Sequence, residues 1–174
     1  DMNFPTPYDL KNLPIEHSLT YSIIRQESVF DQFAISSAEA KGLMQLINST
    51  ACNTARKISI QCNVANLTRE PTYNIRLGTN HLKELISDYS GSYILAIASY
   101  NAGGHRIDKW LNIYGDPREM KSHHDVLDWL EMIPFYETRN YVQRVLESLQ
   151  VYRSMLNNNT RFRLTEDLIQ NRRL

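Results

Sequence analysis

The stretch Tyr93-Ile94-Leu95-Ala96-Ile97-Ala98 is apolar on every side of a helix, and it constrains the chain more than any other feature. A helix without a polar face has to be surrounded by other apolar faces. The spacing therefore predicts a helical core with this segment at its centre, opened by Gly91 and Ser92 and stopped at Tyr100-Asn101-Ala102-Gly103-Gly104. Other segments supply the surrounding faces. Residues 16–28 read as a helix with Leu19, Ile23 and Glu27 on one face, at i, i+4 and i+8. Asn48 or Ser49 is expected to cap a helix reaching about Ile58, with Ala51, Ala55 and Ile58 inward. From Asn74 a helix turns Ile75, Gly78, Leu82, Leu85, Ile86 and Tyr89 to one side. Gly78 inside it costs about 1 kcal/mol relative to Ala, and close helix–helix contact is the expected compensation. Ile107, Trp110, Leu111 and Tyr114 mark another helix, ended by Gly115 and Pro117. A short helix over 123–132 carries Val126, Leu127 and Leu130. Pro134 suits the first turn of a last long helix bearing Val142, Val145, Leu149, Tyr152 and Leu156. Residues 59–73 read as a loop. The class is all-α, with room for a very small β-hairpin within 28–47 or 59–73.

The length of 174 residues suits one domain with a tail. Residues 1–15 hold Pro5, Pro7 and Pro14 and read as a lead-in, 16–157 as the domain, and 158–174 as a polar C-terminal tail. Lys+Arg and Asp+Glu are both 19, so no net positive charge exists to grip nucleic acid, which is not an expected partner. No apolar run reaches the roughly 18 residues that span a bilayer. The chain starts at Asp1, not Met, so loss of a leader or upstream region is expected. The histidines (His17, His81, His105, His123, His124) form no i, i+4 helical pair, and neither a metal nor a cofactor is expected. Cys52 and Cys62 leave two readings open, a disulfide in an oxidising compartment or two packed free thiols.

An acid on an apolar helix face is the anomaly in this pattern. Burial disfavours the ionised carboxyl and keeps it protonated near neutrality, as a general acid requires. The structural alternative for Glu27 is an ion pair, with Arg25 or Arg139 as partner. Its context favours chemistry. Arg25-Gln26-Glu27-Ser28, Ala34-x-Ser36, Gly42-Leu43-Met44-Gln45, Tyr100-Asn101-Ala102-Gly103 and Ile133-Pro134-Phe135-x-Glu137-Thr138-Arg139-x-Tyr141-Val142 follow one another in order. Over roughly residues 4–153 this set resembles the soluble lytic transglycosylase family, whose catalytic domain has a goose-lysozyme-like helical fold with a cleft.

The resemblance implies the following roles. Glu27 is the single catalytic acid. Ser36 lies near the substrate acetamido group, Gln45 lines the cleft, Tyr100 positions the sugar and Asn101 sits beside it. Glu137 is a buried acid reaching the cleft from behind, and Tyr141 lines it. Met44 is counted with the substrate-binding residues, although Leu43 and Met44 also read as core. Trp110 and Trp129 are expected to pack, and Arg139 to pair with a carboxylate. The implied reaction cleaves the β-1,4 bond between N-acetylmuramic acid and N-acetylglucosamine of peptidoglycan glycan strands without water, leaving 1,6-anhydro ends. The implied location is the periplasm, and a helical superstructure domain is expected upstream in the full-length protein. Two rival readings are a lysozyme-like hydrolase and a non-catalytic glycan-binding domain. The chain departs from the family at Glu39-Ala40, where Gly-Ala is common, at Ile47, often methionine, and at Asp31-Gln32, where an Asn-Pro pair is common. Glu39 is the sole hint of a second carboxylate for a hydrolase.

Overall fold

The computed structural model describes residues 3–156; the expected polar tail at 158–174 lies outside the described residues. Eight α-helices are described: α1 (His17–Ser28), α2 (Asn48–Lys57), α3 (Asn66–Arg69), α4 (Pro71–Asp88), α5 (Tyr93–Ala102), α6 (Gly104–Tyr114), α7 (His123–Met132) and α8 (Tyr136–Leu156), with a 3₁₀ turn at Pro117–Glu119. Among the described residues, β structure is limited to two isolated antiparallel bridges, Ile35 with Lys41 and Lys41 with Leu46. The all-α expectation holds, and the small hairpin is reduced to these bridges. The chain divides into two compact units, Asp1–Lys83 and Glu84–Leu174.

In the first unit, α1 buries Leu19, Ile23 and Ile24 completely. Its buried hydroxyls are satisfied within the helix: Ser22 Oγ donates to the Ser18 carbonyl at 2.6 Å, and Thr20 Oγ1 to the Glu16 carbonyl at 3.2 Å. Bonds to the i−4 carbonyl let polar residues face a core without a desolvation cost. The lead-in has no regular structure and is pinned to α1. Arg25 Nε donates to the Asn3 carbonyl at 3.0 Å and its guanidinium covers the Phe4 ring at 4.4 Å. Tyr21 donates to the Tyr8 carbonyl, and burial raises its phenol pKa.

Two boundaries in the first unit differ from the expectation. Neither Asn48 nor Ser49 caps α2; Ile47 occupies the cap position without a side-chain bond, while Asn48 Oδ1 accepts from Lys41 Nζ at 3.0 Å. Residues 59–73 are not all loop, because α3 lies inside them and α4 begins at Pro71. A proline at the first helical position loses no hydrogen bond, so the start was marked by the residue usually read as a breaker. Cys52 and Cys62 form a disulfide with Cα atoms 5.0 Å apart, tying α2 to the segment before α3.

In the second unit, Ile94, Leu95, Ala96, Ile97 and Ala98 of α5 are all fully buried, and α5 packs on both α6 and α8. Ser92 caps it by accepting from Leu95 N–H at 3.3 Å, and Ser122 caps α7 through Asp125 N–H at 3.1 Å. Pro134 is not inside α8. The Phe135 carbonyl takes the first α8 bond, from Arg139 N–H at 3.1 Å, and Ile133 before the proline is extended at ψ 118°, as a residue preceding proline prefers. Both tryptophans pack as expected, Trp110 at 4% and Trp129 at 1% exposure, and Trp129 Nε1 donates to the Gly115 carbonyl at 2.8 Å.

Reduction, or Cys52→Ser with Cys62→Ser, should lower stability by about 3 kcal/mol, the chain entropy of closing a loop of this length; thermal unfolding with and without reductant measures it. Burial pushes the Asp116 carboxyl up, but bonds from Arg118 outweigh it and hold the pKa below the usual aspartate range. The stabilisation is therefore present above about pH 4 and lost as pH falls through the lowered value. The stability difference between the parent and Asp116→Asn should shrink on acidification, as read by denaturant titrations at stepped pH.

Candidate active site

Glu27 sits in the last turn of α1, half-buried, below turns that are closed to solvent. The helix stops two residues later, with Val29 left-handed at φ 51° and its N–H on the Arg25 carbonyl. From there residues 29–47 form a strap. Gly42 N–H donates to the Ala34 carbonyl at 2.8 Å, and Lys41 and Leu46 exchange main-chain bonds at 3.0 and 3.1 Å.

The strap is clasped from two sides. Ser28, adjacent to Glu27, donates its hydroxyl to the Leu43 carbonyl at 2.7 Å. Opposite, Asn74 of α4 has no exposed surface. Its Nδ2 donates to the Lys41 and Leu67 carbonyls, each at 2.9 Å, and its Oδ1 accepts from Met44 N–H at 2.9 Å. The fit leaves no room for added atoms. A Cβ on Gly42, at φ +76°, would lie 2.1 Å from the Leu67 carbonyl oxygen, and one on Gly78 2.4 Å from Met44 Sδ. The close approach expected at Gly78 is thus a strap-to-helix contact.

Within this frame Gln45, half-exposed and left-handed at φ 51°, donates both amide hydrogens, to the Ala34 carbonyl at 3.1 Å and the Gly42 carbonyl at 2.9 Å. Its carbonyl oxygen is what it can offer a ligand. Ser36 Oγ accepts from Ala40 N–H at 3.1 Å, which leaves its O–H as a donor. Met44 departs from its expected role. It is fully buried with its sulfur facing Gly78, so its side chain supports the strap and does not meet a saccharide. Glu39 is exposed at the tip of the turn, with φ 62°; the left-handed conformation accounts physically for a glycine being common there. Phe30 is left-handed too, at φ 65°.

In the second unit Tyr100 and Asn101 end α5, both half-buried. Asn101 Oδ1 accepts from Thr138 Oγ1 at 2.7 Å, joining α5 to the first turn of α8 and leaving the Asn101 amide as donor. Asn101, Thr138 and Glu137 line a depression of about 300 Å³ together with Ala102, Arg106 and Phe135. Glu137 is exposed, contrary to the buried acid expected. In the opening turn of α8 the inward positions are taken by Thr138 and Tyr141, and Glu137 lies off that face. Tyr141 is 5% exposed, which limits it to a wall. Arg139 donates to the Glu131 main-chain carbonyl at 2.8 Å and lies over the Tyr136 ring at 5.5 Å, where a carboxylate partner was expected.

Sequence reasoning missed Ser28 and Asn74 as organisers of the site. The signal for Asn74 was available: an amide at i−4 from Gly78 on an otherwise apolar helix face has to be satisfied by something, and the glycine marks where that something comes close.

A family model for the transglycosylase SLT domain matches residues 9–122, and one for the soluble lytic transglycosylase helical domain matches residues 132–160. A protein of Haemophilus influenzae, provisionally named a soluble lytic murein transglycosylase, is 42% identical over 137 residues, which are 79% of this chain and 22% of that one. Among solved structures, an inactive mutant of lytic transglycosylase Slt from Pseudomonas aeruginosa, with glutamine in place of a glutamate, is similar with a TM-score of 0.74 and 37% identity, covering 87% of this chain and 24% of that one. The 70 kDa soluble lytic transglycosylase of Escherichia coli is similar with a TM-score of 0.75 and 30% identity, covering 90% and 24%. The chain spans about a quarter or less of the length of the relatives it matches. The lysozyme-like helical fold expected from the motifs is the fold it shares with these structures.

Two substitutions at left-handed positions should act in opposite directions. Gly42→Ala should cost at least about 2 kcal/mol, because strain adds to a clash with main chain. Glu39→Gly should gain up to about 1 kcal/mol by removing the Cβ penalty. Chemical denaturation of both variants measures the difference.

Proposed function

This chain belongs to the transglycosylase SLT-domain family, and from that premise we propose that it is the catalytic domain of a lytic transglycosylase acting on peptidoglycan glycan strands. The observation that carries the reading is the placement of Glu27. It is a half-buried carboxyl in the last turn of a helix whose middle, residues 18–24, is closed to water, beside a strap held by Ser28 and Asn74. In this role the carboxyl delivers a proton to the leaving oxygen. That an inactive relative carries glutamine for glutamate is in keeping with a single essential acid.

One acid suffices if the substrate supplies its own nucleophile, a stated exception to the two-carboxylate rule. The 2-acetamido oxygen of N-acetylmuramic acid attacks C1 while Glu27 protonates the bridging oxygen to N-acetylglucosamine. The bridging bond breaks and an oxazolinium forms. Glu27, now ionised, accepts the proton of the C6 hydroxyl, which closes on C1, reopens the oxazolinium and leaves a 1,6-anhydro end. The strap offers the complement of an acetamido group, a donor in the Ser36 hydroxyl and an acceptor in the Gln45 carbonyl. Preset dipoles of this kind fix the attacking oxygen and meet charge where it develops. Tyr100 and the Asn101 amide are assigned to further sugar contacts.

Glu39 gives no support to a hydrolase. It is exposed at the tip of a turn. The Cys52–Cys62 bond supports an oxidising compartment, and with the envelope substrate this favours the periplasm. The helical-domain match and the length of the relatives support a helical superstructure as part of the full-length protein.

Glu27→Gln should lower turnover of purified peptidoglycan at least about 10³-fold while the melting curve stays unchanged. Mass spectrometry of wild-type products should show muropeptides one water lighter than hydrolysis products. Hydrated reducing ends alone would overturn the transglycosylase reading, and binding to sacculi without release would favour a non-catalytic domain.

A further inference from the structure

Much of the support for the strap beside Glu27 comes from α3, the single turn Asn66–Arg69. Gln32 Nε2 donates to the Thr68 carbonyl at 3.2 Å. Asn74 joins the Leu67 carbonyl to the strap at Lys41 and Met44, and Gly42 lies so close to that same carbonyl that a Cβ has no room. A helix of one turn is too short to hold itself in water. Its far end is secured by Glu70, whose carbonyl accepts from Asn74 N–H at 3.2 Å in α4. Its near end depends on residues 58–65, which form no regular structure.

That segment is braced twice, and both braces close on Cys62. The disulfide to Cys52 ties it to α2. From α4, the Tyr73 hydroxyl accepts from Asn63 N–H and donates to the Gln61 carbonyl, each at 2.9 Å, so it spans Cys62 from either side. Turn bonds pass the position on, from Asn66 N–H to the Asn63 carbonyl at 3.1 Å and from Leu67 N–H to the Val64 carbonyl at 3.2 Å. Tyr73 and Asn74 are neighbours on α4 and grip opposite ends of one short segment, residues 61–67. We propose that Tyr73 and the Cys52–Cys62 bridge are positioning residues for the reaction, acting through the Leu67 carbonyl on the strap that presents Ser36 and Gln45. This deepens the function proposed above and rests on it. Both cysteines are half-exposed, so a dithiol can reach the bridge. In the exchange the dithiol gives up two electrons and two protons and closes to a disulfide, while Cys52 and Cys62 become thiols. One brace is then lost, and turnover falls while the fold persists.

Activity and strap order are read on the same proteins: the parent, Tyr73→Phe, Cys52→Ser with Cys62→Ser, and the three changes together. The parent reduced with dithiothreitol and then reoxidised gives a second route to the same state. Thermal melts set a working temperature well below unfolding for each protein. On purified soluble glycan strands, loss of either brace should lower kcat about threefold, and loss of both about thirtyfold, more than the product of the two. KM should change less than about twofold, because a slack strap misplaces an acetamido group that is already bound. The Met44 amide, bonded to Asn74, should lose hydrogen-exchange protection about tenfold, while the amides of Ile94–Ala98 in α5 keep theirs. Reoxidation should restore both rate and protection. Unchanged kcat in the folded triple variant, an effect confined to KM, or protection lost equally in α5 overturns the proposal. If the rates follow the braces but the parent yields only hydrated ends, the transglycosylase reading falls and the positioning role stands. No turnover by the parent overturns the function, and exchange at Met44 then decides by itself whether the braces hold the strap.

Discussion

One buried amide holds the strap over residues 29–47 in shape. Asn74 is fully enclosed, and each of its polar atoms meets main chain: two carbonyls on the donor side, one N–H on the acceptor side. A buried amide left unsatisfied would cost about 1–3 kcal/mol per group, so the arrangement tolerates no partial version. Where Asn74 binds, Lys41, Met44 and Leu67 must also be. That fixes Gly42 against the Leu67 carbonyl and Met44 against Gly78, and with them the loop that presents Gln45. Ser28 makes the matching contact from α1. The acid and the residues expected around the acetamido group thus share one hydrogen-bonded framework.

The framework also sets the sense in which each polar side chain can act. Gln45 has both donors engaged by main chain, Ser36 has its oxygen engaged as acceptor, and Asn101 has its oxygen engaged by Thr138. Gln45 keeps only its acceptor oxygen, while Ser36 and Asn101 keep their donors and one remaining lone pair. Such restriction is a form of preorganisation, because a group that can bind in one way only loses little freedom when the ligand arrives.

Much of this was legible in the sequence, and the failures have physical causes. The core helix α5 was readable because an all-round apolar run admits one environment, and its residues are indeed closed to solvent. Glu27 stood out because an acid broke a face set by Leu19 and Ile23. What escaped was whatever depends on the third dimension. The start of α4 at Pro71 was missed because proline both breaks and begins helices, and only the surroundings decide which. Met44 could not be assigned from a motif whose neighbour Gln45 faces the other way. The motif implies a buried Glu137, whereas exposure in a first helical turn is set by which neighbours pack, here Thr138 and Tyr141, and not by the acid itself. The Cys52–Cys62 pairing could not be chosen over free thiols, since spacing alone does not bring two Cα atoms within bonding range.

The strap holds four non-glycine residues in the left-handed region: Val29, Phe30, Glu39 and Gln45. For a β-branched residue such as Val29 that backbone is a true outlier, and conformations of this kind persist only where the surroundings insist on them. The segment following the acid therefore works as a wound spring, held by the rest of the fold. Relaxing these turns one by one would make the protein sturdier, and each relaxation would slacken the segment that follows Glu27.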